Sequence, residues 1–366
     1  MSKILFHHNC LQQGGAERVV TNLSNTLSNM GYDIIVATQW QGENEFVLDK
    51  KVRRIHVGLS AEDEKKNRIS RAVIRLRNLR RLLKEEKPDV AIGFTRKPLY
   101  RLLAAALGTG IPAVIAVRTD PVGNYDKAVD KLCIPLLFPH AAGAVFQTEG
   151  QRDFFPEYIR KKSAIILNPV SDKYLNPVNV QEKENAVVHS SRLDHFKNQP
   201  MLLKAFIKVH EKHPDYVLKI YGEDSGDGTL QKLEKIINDN NAEEYIRLMG
   251  GSDSLETELP KGKIYAFSSD CEGMPNALIE AMCLGMPVIS TDCPCGGPRT
   301  LIRDGSNGIL VPVNDDDALA DAICRLIENP QLADELGKEA ALIKERVEGQ
   351  RVTKQWEEYI LSVEKF

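Results

Sequence analysis

Two glutamates eight residues apart, Glu272 and Glu280, bracket the stretch Glu272-Gly273-Met274-Pro275-Asn276-Ala277-Leu278-Ile279-Glu280. Upstream, Arg192 and Lys197 lie five residues apart in Ser191-Arg192-Leu193-Asp194-His195-Phe196-Lys197-Asn198. A guanidinium offers a planar fork and an ammonium a point charge. Around a turn, both can reach one diphosphate. Taken alone, the cations read equally as surface charges. The glutamates read equally as a solvated side chain and a helix N-terminal acid that favours the helix dipole.

The elements around these residues sharpen the reading. Lys263–Phe267 reads as a buried strand, and a helical run follows the Gly-Met-Pro-Asn turn. Ala277, Leu278, Ala281 and Met282 share one face of it. Asn276 is the expected N-cap, and Gly285 before Pro287 the expected stop. Glu272 therefore sits in a loop leaving a strand, and Glu280 about one turn into the next helix. Free backbone N–H groups at such a helix start hold an anion or a sugar hydroxyl. Open α/β sheets take their ligands at strand carboxyl ends. Arg192 and Lys197 likewise follow a buried strand, Ala186–Ser190.

Composition bounds the possibilities. A chain of 366 residues fits two domains rather than one core. The contents, 42% hydrophobic and 27% charged, are those of a globular protein, and a net charge of −3 advertises no nucleic acid. Seven scattered cysteines read as reduced thiols of a cytosolic protein, and Cys293-Pro-Cys295 lacks the second pair of a zinc site. The first residues start a strand and show no signal-peptide stretch. No apolar run reaches the length of a membrane span.

In the first half, strands are expected at Ile4–His7, Ile34–Thr38, Arg53–Val57, Asp89–Phe94, Ala113–Val117 and Gly143–Gln147. Helices between most of them imply a parallel sheet covered on both faces. Gly14 and Gly15 form a close-approach loop between a strand and a helix that turns Val19, Val20, Leu23 and Leu27 inward. This is not Gly-x-Gly-x-x-Gly, which argues against a dinucleotide enzyme. His7 and His8, which end the first strand, read as core or rim histidines. Arg118 and Asp120 follow a later strand. In the segment 65–87, Ile69, Val73, Leu76, Leu79 and Leu83 recur at helical spacing among ten Lys and Arg residues. Its basic face is either solvated or drawn to anionic lipid, where each charge near the surface contributes ~1 kcal/mol. In the second half, strands are expected at Ser163–Leu167, Ile246–Met249 and Val288–Thr291, a strand and turn at Val217–Glu223, and a joint between halves near 169–185, while Ile309–Pro312 precedes the last helices.

Taken as a whole, the strand–loop–helix–strand passage with Glu272 and Glu280, followed by Gly-Met-Pro-Val-Ile-Ser-Thr, resembles the Glu-x7-Glu signature of retaining glycosyltransferases of family 4, which have the GT-B fold. Gly-Gly-Ala-Glu-Arg near the start and Ser-Arg-Leu-Asp with Lys-Asn-Gln are similar to that family's words. The resemblance is strong over 186–315, moderate over 1–30 and weak between. It implies an α/β GT-B fold of two Rossmann-like domains facing across a cleft. These would be an acceptor-side domain over 1–170, a nucleotide-sugar domain over 171–350, and a terminal helix over 351–366 packing back on the first domain.

The resemblance also implies roles. Arg192, Lys197 and Glu272 would be catalytic, the two cations neutralising a departing diphosphate. Gly14, Gly15, Gly273, Met274, Pro275 and Asn276 would bind the donor, and Glu280 would accept the ribose hydroxyls. Arg118 and Asp120 stand near where relatives carry a sugar-contacting histidine and are candidate sugar or acceptor contacts. Thr300 stands where relatives often carry Glu. The expected activity moves a sugar, from a UDP-sugar by preference, to a glycan or lipid-linked acceptor in cell-surface polysaccharide synthesis. No metal or cofactor is expected, and no nucleic-acid partner. The expected location is cytoplasmic, at the inner face of the membrane if the basic helix binds lipid. Two other readings fit the fold: a sugar-nucleotide epimerase, and a nucleotide-sugar-binding protein without turnover.

Overall fold

The computed structural model describes residues 2–12, 14–177, 180 and 182–364. Gln13 of the double-glycine loop, and Val178, Asn179 and Gln181 of the expected joint, lie outside the described residues. The chain divides into two units, Met1–Pro169 with Gln350–Phe366, and Val170–Gly349.

Among the described residues, seven parallel strands build the first unit: β1 (Lys3–His8), β2 (Asp33–Thr38), β3 (Arg53–His56), β4 (Val90–Phe94), β5 (Ala113–Ala116), β6 (Gly143–Phe146) and β7 (Ser163–Ile165). They pair in the order β3-β2-β1-β4-β5-β6-β7. Central strands are buried throughout, as their unbroken apolar runs require when helices cover both faces. One face packs on α1 (Gly15–Asn29) and on the terminal helix Gly349–Glu364, through Val19, Val20, Leu23, Val352 and Trp356. The other packs on α2 (Arg68–Glu86) and α3 (Arg96–Ala106), through Leu79, Leu82, Leu83, Leu99, Leu102 and Leu103.

The apolar stripe expected along α2 is only half used. Leu79, Leu82 and Leu83 are buried, whereas Ile69 is 78% exposed and Val73 56%.

Among its described residues, six parallel strands build the second unit: β8 (Glu184–Ser190), β9 (Val217–Tyr221), β10 (Ile246–Gly250), β11 (Gly262–Phe267), β12 (Val288–Thr291) and β13 (Ile309–Val311). Their order is β10-β9-β8-β11-β12-β13. Leu202, Phe206, Leu218, Ile220, Ile264, Ile289, Leu319 and Ile323 lie in its largest core.

Candidate functional site

The second sheet reverses its strand order between β8 and β11. In an open α/β sheet, ligands bind beyond the carboxyl ends of strands at such a reversal. The two loops that leave there are Ser191–Asn198 and Ser268–Pro275, the two that carry the sequence's candidate residues.

Close packing fixes the first loop. A Cβ on Gly222 would run into the Ser191 carbonyl oxygen, so only glycine lets the β9 exit approach this near. Leu193 N–H then donates to Glu223 O at 2.9 Å, and Ser225 Oγ donates to Leu193 O at 2.7 Å. Asp194 caps the short turn His195–Lys197 by accepting from Phe196 N–H. Asn198 follows with φ 44°, a left-handed conformation that asparagine tolerates. Its side-chain oxygen caps the helix Gln199–Lys212, and its Nδ2 donates to Asp270 Oδ1 at 2.7 Å. Ser268 Oγ donates to Lys197 O at 3.0 Å.

These ties bring Lys197 and Glu272 together. The Lys197 ammonium donates to Glu272 Oε1, which also accepts from Ser269 Oγ at 3.1 Å. Arg192 stands on the same loop with its side chain 70% exposed, 3.4 Å from Asp194 Oδ2. Gly273, Met274 and Pro275 are buried, and Glu280 is buried one turn into the helix Asn276–Cys283. Asn276 is not the cap of that helix but its first residue. Pro275, at φ −76°, takes the cap position, which its ring-fixed φ suits.

Sequence reasoning missed what holds the glutamate loop. Thr291, Cys293 and Cys295 alternate along the chain leaving β12, and all three reach one loop's carbonyls. Thr291 Oγ1 and Cys293 Sγ both donate to Ser269 O, at 2.5 and 3.1 Å. Cys295 Sγ donates to Glu272 O at 3.0 Å. Burial pushes the Cys293 thiol up to about 12, so it keeps the proton it donates. A Cβ on Gly297 would come within 2.6 Å of Gly273 O. The period-2 spacing of donors was the available signal.

Beneath the site, His189 lies stacked against Tyr265 and Phe267. Its Nδ1 donates to Ala266 O at 2.8 Å, and Nε2 accepts from Ser191 Oγ at 2.7 Å. Burial lowers its pKa to about 4 and keeps it neutral.

The first unit's candidates fare differently. Gly14 precedes α1 with an extended backbone, and the close neighbour of a Cβ there would be the Glu17 carboxylate. Gly15 begins the helix. Arg118, expected where substrate would lie, is instead buried. Its guanidinium sits 5.6 Å over Phe94 and 5.0 Å over Trp356, and Nη1 reaches Ile166 O and Asn168 Oδ1 at 3.4 Å. A planar, weakly hydrated cation stacks on aromatic faces, which explains its place in this core. Asp120 is also buried and caps the turn that follows, accepting from Val122 N–H at 3.0 Å. Among the described residues, no group of three or more His, Cys, Asp or Glu is arranged to hold a metal ion. No described helix is long and apolar enough to cross a membrane.

Comparison with known proteins bears on this geometry. Residues 170–342 match the family described as glycosyl transferases group 1, and residues 13–173 match glycosyltransferase family 4. The chain belongs to the group 1, family 4 glycosyltransferases. It is 26% identical to an uncharacterized glycosyltransferase of Haemophilus influenzae, over 97% of this chain and 99% of the relative. It is also 26% identical to an α-1,4-N-acetyl-D-galactosaminyltransferase of Campylobacter jejuni named for a PP-undecaprenol-linked glycan, over 99% of each chain. The fold matches that of Anabaena HepE, crystallised with UDP and glucose, with a TM-score of 0.84 at 18% identity, over 99% of this chain and 100% of that one. In this glycosyltransferase, the group 1 segment contains both loops at the second sheet's reversal. The two-domain parallel α/β architecture is that of the GT-B fold.

Proposed function

We propose that this glycosyltransferase is a retaining enzyme that moves a sugar from a nucleotide-diphosphate sugar, by preference a UDP-sugar, to a glycan or lipid-linked glycan acceptor. The observation that carries this is the Lys197–Glu272 contact at the sheet's reversal, with Arg192 exposed on the same loop. An ammonium already placed against a carboxylate is preorganised. As the bond to the leaving diphosphate breaks, Lys197 and Arg192 stabilise the charge that develops without reorganising. Glu272 and the Gly273–Asn276 amides hold the transferred sugar, and Glu280 accepts from the ribose hydroxyls. The departing phosphate takes the acceptor proton on the face it leaves, which retains the anomeric configuration. Protein cations occupy the role a metal fills elsewhere.

The acceptor reading draws support from the Campylobacter relative's name. The basic residues of α2, with Ile69 and Val73 exposed among them, support work at the inner face of a membrane, where apolar and cationic groups act together. A panel of nucleotide sugars, scored by nucleotide release with and without lipid-linked acceptors, tests the proposal. One donor is expected to give acceptor-dependent release with the anomeric configuration kept. Inversion of that configuration, or release from no donor, would overturn it.

A further inference from the structure

We propose that Gln199 is a positioning residue for Arg192, holding the Arg192 main-chain carbonyl at the end of a buried hydrogen-bond relay that starts at His189. On the reading that Arg192 contacts the leaving diphosphate, this is the device that keeps it in place.

Arg192 needs such a device. Its side chain is 70% exposed, and its one ion pair among the described residues is with Asp194, at 3.4 Å. A long solvated side chain has many rotamers, so where its charge stands depends on the backbone that carries it. The next residue is fastened from the β9 side, where Leu193 N–H donates to Glu223 O and Leu193 O accepts from Ser225 Oγ. The carbonyl of Arg192 itself is held from the inside. Gln199, the first residue of the helix Gln199–Lys212, is fully buried. Its Nε2 donates to Arg192 O at 2.8 Å and to Ser191 Oγ at 2.9 Å.

The chemistry of the two ends fixes the direction of the relay. Ala266 O can only accept, so His189 Nδ1 carries the proton and Nε2 a lone pair. Ser191 Oγ is 2.7 Å from that lone pair and gives it its single proton, although Arg192 O is 3.1 Å away. Ser191 Oγ is then an acceptor. The Gln199 amide must present its NH2 edge, with one proton for Ser191 and one for Arg192 O. Turned over, it would set Oε1 against two acceptors. In the orientation the network dictates, Oε1 is buried without a partner. For stability alone this is a poor choice, because an apolar side chain of similar length fills the space and leaves no unpaired oxygen. What the amide supplies is the hold of its NH2 edge on Arg192 O. Lys197 is anchored in the same manner, since fully buried Ser268 donates through Oγ to Lys197 O at 3.0 Å.

The test is a double-mutant cycle between Gln199→Met and Arg192→Ala in the full chain. It is read by calorimetric titration of UDP and by kcat for nucleotide release, with melting temperature beside them. Methionine fills the glutamine's space and removes both donors. Gln199→Met is expected to weaken UDP binding roughly tenfold, the loss that follows when one charged hydrogen-bonding group is misplaced, and to lower kcat at a nearly unchanged melting temperature. In the Arg192→Ala background the same substitution should change UDP affinity by roughly twofold or less, because a residue that acts through Arg192 has nothing left to act on. Gln199→Leu repeats the cycle with a stiffer apolar side chain, so the result does not rest on how methionine packs. Equal losses in both backgrounds would mark a general effect on the fold and overturn the proposal. So would wild-type affinity and turnover in Gln199→Met while Arg192→Ala impairs both. If Arg192→Ala itself leaves both unchanged, the diphosphate reading of Arg192 falls and its positioning residue with it.

Discussion

Lys197 donates to Glu272, so two residues 75 positions apart in sequence form one ion pair beyond adjacent strands β8 and β11. Both side chains are partly buried, 20% and 12% exposed. Removing either partner leaves the other facing a site built for a pair. Lys197→Ala is expected to lower turnover by ~2–4 kcal/mol of barrier, by analogy with oxyanion-hole deletions. Glu272→Gln keeps a hydrogen-bond acceptor and should cost less. A double-mutant cycle in steady-state kinetics should show strong non-additivity. Normal turnover in Lys197→Ala would remove this pair from the mechanism.

Chelation should leave the activity unchanged if, as proposed, Arg192 and Lys197 supply the charge that a divalent ion supplies elsewhere. Rates are compared after EDTA treatment and after adding magnesium or manganese. Complete loss under EDTA with recovery on adding metal would refute the metal-independent reading.

The thiol clamp makes a finer prediction. A neutral hydrogen bond to a loop carbonyl contributes about 1 kcal/mol. Cys293→Ala and Cys295→Ala should each reduce kcat several-fold, and Cys295→Ser should restore most of it by keeping a donor. Gly297→Ala should be worse than any of these, since its Cβ would crowd the Gly273 carbonyl and shift the loop. Donor KM and kcat, measured beside melting temperature, separate a displaced loop from a destabilised fold. Wild-type kinetics for Gly297→Ala would contradict the account.

Trp356 of the terminal helix is fully buried, stacked 5.8 Å from Phe94 and under the Arg118 guanidinium. Trp356→Ala should cost about 3–5 kcal/mol of stability in urea unfolding. Arg118→Ala should destabilise without raising the KM of either substrate. A raised KM at unchanged stability would return Arg118 to the substrate.

His7 and His189 are held neutral in the folded chain, with pKa values near 3 and 4 against 6.5 when unfolded. Between those values the unfolded chain binds more protons, so stability is full above about pH 6.5 and falls as pH drops toward 4. For His189 the shift corresponds to roughly 3 kcal/mol by pH 4. Denaturant unfolding from pH 7 to 4.5 should show the decline, and His189→Gln should flatten it. A pH-independent midpoint over that range would count against buried neutral histidines.

The strands were legible because a parallel strand covered on both faces is an uninterrupted apolar run. Val288–Thr291 reads the same from sequence and structure, and the strand expected at Asp89–Phe94 starts one residue later, at Val90. Glu272 and Glu280 were legible because a strand, a Gly-Pro turn and a helix form one local unit, and their spacing survives folding. Local spacing also set the wrong cap. Asn276 has the usual chemistry, but the proline before it already fixes the backbone where the helix starts.

What only tertiary structure decided are the contacts between segments distant in the chain. No periodicity within α2 tells which turns of its apolar stripe find a partner, and Ile69 and Val73 stay exposed. No local pattern places Arg118 over Phe94 and Trp356, because the latter arrives from the far end of the chain. The Lys197–Glu272 pair and the thiols under Ser269 and Glu272 arise where parallel strands bring separate loops to one edge. A sequence carries the side chains for these contacts. The strand order, which is set by burial of the whole sheet, decides which of them meet.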